Sequence, residues 1–343
     1  MFPAYLIIST LVYNFDDRHN WFFLNLSAFL GYSITSILKL GYKAPRPYYV
    51  SDSIRAISCE SGYGKPSGHA LECSQLFLTL WFIYLYHYSK AKLTRIMCLS
   101  LTVVFILLIM LDRLYLGVHS LDQVIMGAYL GTTISISLNM LFYDGIKRGF
   151  KLIFNREEGY RKYAFPGIIT MASVHIFNIT MFILNNGSIE QYYEDDWSKN
   201  IESKCPGYPS TKLFTVPFIH LAATLLFLAY FVAMLYSSRK FASSTAAWQS
   251  DVSIKKKIIR LFLLLGLEVV CFLPDILIRT HNLMLNIALT KVVPALLMGI
   301  LYSFIDKIAE RLHLTGSSSP NKMNAMSNQP DDENLGKAID IHA

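Results

Sequence analysis

Apolar runs of about 20 residues, the length that crosses a bilayer core as a helix, recur along almost all of this chain. A chain of 343 residues is long enough for two soluble domains, but 53% of its residues are hydrophobic and only 16% are charged. The mean hydropathy is +0.37. The fold class expected is therefore all-α, a polytopic membrane bundle with about nine transmembrane helices. The runs lie near Phe2–Tyr13, Trp21–Leu38, Leu71–Tyr88, Ile96–Leu111, Leu121–Phe142, Ala164–Leu184, Leu213–Tyr236, Ile258–Ile278 and Met284–Ile305. The first is short for a full crossing and lacks the basic segment of a signal peptide, as if Met1 fell inside a helix.

The charges between the runs are not evenly shared. One set of loops carries Lys90, Lys92 and Arg95, then Lys147, Arg148, Lys151, Arg156, Arg161 and Lys162, then Arg239, Lys240 and Lys255–Lys257. The opposite set is poorer in cations and includes the acidic stretch Glu190–Glu202. Basic loops stay cytoplasmic, which puts the C-terminus in the cytoplasm and the N-terminus on the other side. The net charge of +7 follows from the same bias, so no nucleic-acid partner is expected. Membrane lipids are the expected surroundings, and composition leaves the oligomeric state open.

The chain divides into residues 1–150, which hold every chemistry-bearing motif, residues 151–313 with the remaining spans, and a polar tail over 314–343 with too few apolar groups to fold. Cys73, Cys98 and Cys271 sit in apolar runs as small packing residues. Cys59 and Cys205 fall in loops on one side, where an oxidising lumen permits a disulfide that sequence alone does not establish. Asn186-Gly187-Ser188 matches a glycosylation acceptor but abuts a span. Glu268 and Asp275 lie in the eighth run without an assigned role.

Three short segments at the ends of apolar runs all fall on the non-cytoplasmic side. The first is Lys39-x6-Arg46-Pro47; the arginine fork suits bidentate phosphate binding and the lysine supplies a point charge. The second is Gly62-Tyr63-Gly64-Lys65-Pro66-Ser67-Gly68-His69-Ala70. There Ser67 is a natural N-cap, and the amides at the helix start, Gly68 among them, are free to bind an anion. The third is Asp112-Arg113-x5-His119. Each has an ordinary explanation: cations that snorkel, a capped helix with a chance histidine, an arginine paired to its neighbour. Coincidence does not explain all three in order on one membrane face, and charges at the membrane edge mark function by default.

The set K-x6-R-P, P-S-G-H and R-x5-H resembles the type-2 phosphatidic acid phosphatase/vanadium haloperoxidase superfamily over roughly Lys39 to Gly127, with a phosphatase core near residues 21–143. Cys59-Glu60-x-Gly62-x-Gly64-x-Pro66-Ser67-Gly68-His69-Ala70 and Arg46-Pro47-Tyr48 are similar to the glucose-6-phosphatase branch. The resemblance implies His119 as a nucleophile that forms a phosphohistidine and His69 as the acid that protonates the leaving alkoxide. Lys39, Arg46, Ser67, Gly68 and Arg113 would hold the phosphoryl oxygens, and neither metal nor cofactor is implied. An imidazole titrates near neutrality and can fill either role. Each cation near 4 Å contributes on the order of 4 kcal/mol against one phosphate charge at an effective dielectric of about 20.

Two positions depart from the superfamily pattern, which usually has Ser before the arginine and Asp four residues after the second histidine. Here they are Asp112 and Gln123. Gln123 can accept a hydrogen bond from the far nitrogen of His119, with Asp122 as the alternative if the turn differs. Asp112 repels a phosphate unless it pairs with Arg113. The expected function is a membrane phosphatase acting on a phosphomonoester from the lumenal side of an internal membrane, the endoplasmic reticulum on the resemblance. Glucose 6-phosphate is a candidate substrate, and a lipid phosphate or polyprenyl diphosphate is the rival. A non-catalytic lipid-binding or transport relative is the alternative of another class, and vanadate-dependent halide oxidation the least compatible with a polytopic chain.

Overall fold

A computed structural model of the chain describes residues 2–16, 18–60, 62–86, 91–155, 160–185, 191–206, 216–237, 252–278, 285 and 288–315. It is about 85% helical and contains no strand among the described residues. In chain order the helices are α1 (Phe2–Phe15), α2 (Arg18–Tyr42), α3 (Pro47–Val50), α4 (Gly68–Trp81), α5 (Lys92–Tyr115), α6 (Leu121–Ser137) and α7 (Tyr143–Asn155). They continue with α8 (Arg161–Asn185), α9 (Gln191–Lys204), α10 (Val216–Ser237), α11 (Ile254–Leu277) and α12 (Val293–Arg311). Single π-helical turns extend α4 over Phe82–Tyr86 and α6 over Leu138–Phe142, and another precedes α12 over Ala288–Val292.

The described residues of each of the nine apolar runs lie on a helix or at its end. Among the described residues, 5 helical stretches are long and apolar enough to cross a membrane: Arg18–Val50, Lys92–Tyr115, Leu121–Ile153, Arg161–Leu184 and Ala288–Arg311. The most telling is α5, whose best apolar window has a mean hydropathy of 2.4 and is only 6% buried within the protein. Leaving a leucine in water rather than burying it costs about 1.5–3 kcal/mol. A helix with Leu93, Leu101, Leu108 and Leu111 all exposed therefore needs a lipid solvent.

Two basic or acidic stretches read as loops are helices instead. Within α7 the positions Tyr143, Ile146, Phe150 and Ile153 recur at helical spacing; three are buried and Ile146 packs beside Tyr143, while Arg148 is exposed. The acidic stretch forms α9, whose Trp197 and Ile201 lie four apart and pack with Cys205 against Tyr48 and Tyr49. Helical periodicity was present in both, hidden by the density of charge.

Packing brings the motif-bearing ends together. Helix α4 lies against α2 and α6. A chain of buried hydroxyls crosses all three, with Ser27 to Thr79 at 3.2 Å and Thr79 to Ser135 at 3.1 Å. Helix α6 approaches closely because Gly127 and Gly131 face α4. A Cβ at Gly127 would lie 2.4 Å from the Ser67 carbonyl oxygen, and one at Gly131 would lie 2.2 Å from that of Leu71. The second half packs directly on the first: α10 lies against α2, α8 and α12, and α1 against α2 and α11. Its core includes Tyr5, Tyr13, Trp21, Phe227, Tyr230 and Tyr302. Glu268, unassigned from sequence, is buried and accepts hydrogen bonds from Thr10 at 2.7 Å and Tyr302 at 2.6 Å. The Asp275 side chain, the Asn186-Gly187-Ser188 sequon and residues 316–343 of the tail lie outside the described set.

Candidate active site

The last turn of α2, the cap of α3, the start of α4 and the α5–α6 connection meet at one end of the bundle. Lys39 ends α2, buried, with Nζ donating to the Tyr63 carbonyl oxygen at 2.7 Å. That bond ties the helix end to the glycine-containing loop. The same loop is held a second time, by the Gly64 amide donating to the Ala44 carbonyl at 2.8 Å. Ser67, fully buried, caps α4 by accepting from the Ala70 amide at 3.4 Å, and its own amide donates to the Gln123 carbonyl at 2.9 Å. Gly68 and His69 thus head the helix, where the first amides have no intrahelical acceptor.

Arg46, 3% exposed, is the hub. Its Nε donates to the Gly62 carbonyl at 3.0 Å, and its Nη1 to the Val118 carbonyl at 3.0 Å and to His119 Nε2 at 3.2 Å. The other ring nitrogen, His119 Nδ1, faces Gln123 Oε1 at 3.0 Å. The orientation of that amide follows from its remaining partners. Oε1 also accepts from the Ser120 amide at 3.3 Å, while Nε2 donates to the Pro45 carbonyl at 3.0 Å. Only one orientation satisfies both, so His119 donates from Nδ1 and keeps its lone pair on Nε2. Burial first, then the Arg46 and Lys39 cations, hold the His119 imidazole well below its ordinary pKa, with the Gln123 bond opposing them. The ring is neutral at neutral pH.

Gly64 makes this arrangement possible. A Cβ there would lie 2.5 Å from Gln123 Oε1, so any larger residue would push the amide off the imidazole. Asp122, the alternative orienting group, is not used that way. It sits at the rim, pairing with Lys65 at 2.9 Å and bonding the Ser120 hydroxyl, because α6 begins at Leu121 and turns position 122 outward. Asp112 does not confront the site as an unpaired charge either; it is engaged by the Arg113 guanidinium, with Nε at 2.9 Å.

Arg113 also reaches the site, its Nη1 at 2.8 Å from Glu60 Oε1, while Arg46 Nη1 lies 3.0 Å from Glu60 Oε2. One carboxylate therefore bridges two arginines. Burial pushes the Glu60 carboxyl up, but Arg46, His69, Arg113 and Lys39 together outweigh it and hold the group below its usual range. His69 lies within electrostatic reach of Glu60, Arg113 and Arg46, and His119 within reach of His69. The seven residues assigned by motif spacing to bind or transform phosphate therefore belong to one locus.

Residues 20–146 match the PAP2 superfamily. The matched segment runs from the start of α2 into α7 and contains every motif residue named above. Members of this superfamily are phosphatases, and the match supports phosphatase activity in the chain. Neither the search of curated proteins nor that of solved structures gives a match.

Spacing in the sequence did not single out four contributors to this site. The Pro45 carbonyl fixes the amide of Gln123, and the hydroxyls of Tyr48 and Tyr49 both donate to the Glu60 carbonyl. Glu60 itself stood in the branch signature without a role. A clasp from the second half secures the region: Cys59 and Cys205 form a disulfide, Asn200 donates to the Tyr49 carbonyl at 2.7 Å, and Lys204 to that of Tyr48 at 3.1 Å. Main-chain partners and clasps leave no residue-type signal. Only the paired loop cysteines hinted at one.

Proposed function

We propose that the chain is an integral-membrane phosphatase that hydrolyses a phosphomonoester through a phosphohistidine on His119. The observation that carries the reading is the state of that ring: Nδ1 is held by Gln123, and Nε2 keeps its lone pair beside Arg46. In the first step the Nε2 lone pair attacks phosphorus, the P–O bond to the leaving group breaks, and His69 donates its proton to the departing alkoxide. In the second, a water gives a proton to the now neutral His69 and its oxygen attacks phosphorus. The P–N bond breaks, releasing inorganic phosphate and restoring both rings. Lys39, Arg46 and Arg113, with the Ser67 hydroxyl and Gly68 amide, stabilise the charge on the phosphoryl oxygens.

The site faces the lumen in this reading, since the loops on its side are the cation-poor ones and the C-terminus is cytoplasmic. Endoplasmic reticulum is the proposed compartment and glucose 6-phosphate the candidate substrate. The test is to incubate the purified full chain with labelled glucose 6-phosphate, a labelled lipid phosphate and a polyprenyl diphosphate, then quench and look for label on the protein. Label on wild type and none on His119→Ala supports the reading, and the substrate that labels fastest names the class. No turnover and no label from any of the three overturns it.

A further inference from the structure

Resting on the phosphate-site reading above, we propose that Glu60 is the resident anion of that site: its carboxylate occupies the arginines until a phosphate dianion displaces it, and this competition sets which ligands bind. Three observations carry the inference.

First, the carboxylate stands where a ligand's oxygens would. Each oxygen takes one arginine, Oε1 with Arg113 and Oε2 with Arg46, and those two guanidinium groups come from different ends of the cluster. The charged and titratable groups around it are Arg46, His69, Arg113 and Lys39: the three cations assigned to substrate phosphate and the imidazole assigned as the acid. Second, the main chain at Glu60 is pinned while the side chain is not enclosed. Its carbonyl accepts from Tyr49 at 2.9 Å and also from Tyr48, its amide donates to Tyr48 Oη at 3.0 Å, and the preceding Cys59 is bonded to Cys205. The side chain, however, is 21% exposed. A rotation about side-chain bonds can therefore move the carboxylate toward the rim without moving backbone. Third, the bridge sets one guanidinium against each carboxylate oxygen, a pattern that two oxygens of an incoming phosphate can take over in kind.

The consequence is a charge threshold. Every anion that enters must displace Glu60 and loses the same factor in affinity. A weakly held monoanion such as a phosphodiester therefore falls below occupancy before a phosphomonoester dianion, which meets the same cations with one more charge. By the same competition Glu60 hastens departure of inorganic phosphate after hydrolysis.

The experiment measures binding of inorganic phosphate, orthovanadate and dimethyl phosphate to the full chain in detergent, with Glu60→Gln and Glu60→Asp compared to wild type. If Glu60 fills the site about nine-tenths of the time, removing its charge tightens phosphate about tenfold. Glu60→Gln is expected to show that gain, and the same factor for dimethyl phosphate, since both ligands must displace the same carboxylate. Glu60→Asp, too short to span both arginines, is expected to move the same way by less. Unchanged or weakened phosphate affinity in both variants, with thermal melting like wild type, overturns the proposal; if Glu60→Gln does not fold, the Glu60→Asp result decides it. Turnover by wild type, measured beside the titration, separates the two readings. Phosphate binding that tightens with Glu60→Gln while the wild-type chain never turns over a phosphomonoester sinks the enzymatic reading and leaves this one standing.

Discussion

The two ends of α2 each bury arginines, and they do so differently. At the start of the helix, Arg18 grips Asp306 of α12 with two parallel bonds, Nη1 to Oδ2 at 3.2 Å and Nη2 to Oδ1 at 2.6 Å. Beside it Arg260 donates to Asn14 Oδ1 and to the Asn14 carbonyl, both at 2.8 Å. At the other end, about 36 Å along at 1.5 Å per residue, Arg46 and Arg113 share Glu60, one at each carboxylate oxygen. The first is a closed fork between two helices. The second is a bridge from a partly exposed loop residue. A buried cation becomes a binding site when its counter-charge can leave, and a fastener when it cannot.

The largest effect expected from testing this contrast is chemical. His119→Ala should lower turnover by on the order of 10⁴-fold, with phosphate binding retained, as kinetics and binding on the same preparation will show. A comparable loss from Asp306→Asn in the protein that remains folded would erase the distinction between the ends. Asp306→Asn should instead act on stability. It leaves Arg18 buried with its partner's charge gone, at a cost of about 3–5 kcal/mol, read from melting in detergent, with phosphate affinity of the folded fraction unchanged.

A smaller effect concerns pH. The native His119 imidazole titrates below its unfolded value of about 6.5. Its neutral form is the reactive one, so the wild-type acid limb of kcat/KM should lie below that pH. Gln123→Glu places a negative charge on the Nδ1 side, raises the imidazole pKa and should move the limb upward. A limb that stays put would deny Gln123 its orienting role. The stability sign agrees. Below about pH 6.5 the unfolded chain takes up the proton that buried His119 refuses, so this contribution is present at higher pH and lost on acidification. Glu60, held below its ordinary range, loses its contribution in the same direction at lower pH still.

The smallest effect expected is that of Lys65→Ala. The Lys65–Asp122 pair sits at the solvent rim with Asp122 mostly exposed, and screening leaves such pairs with little influence. Turnover and melting should both stay near wild type. A large loss would mean that the rim pair closes the site.

Residue order alone settled the helical membrane class, because runs that long and that apolar have one stable form in lipid. It also gathered the chemistry: cations, a Ser-Gly cap and two imidazoles at run ends on one predicted side are legible from type and spacing. Charge density hid α7 and α9, whose buried positions show only when the helical period is read through the lysines and glutamates.

What only the tertiary structure decided is partnership. Position 123 rather than 122 faces His119 because α6 starts at Leu121, and a one-residue change of start would have reversed that choice. The Pro45 carbonyl, the tyrosine hydroxyls and the Cys59–Cys205 clasp come from segments far apart in the chain. Glu60 reads in the sequence as one acidic loop residue among several. It acquires its role from two arginines brought to it by separate helices. Local pattern fixes which groups a segment can present, since period and polarity act within a helix length. Which groups meet is set by how the helices pack, and that depends on close approaches such as those of Gly64, Gly127 and Gly131.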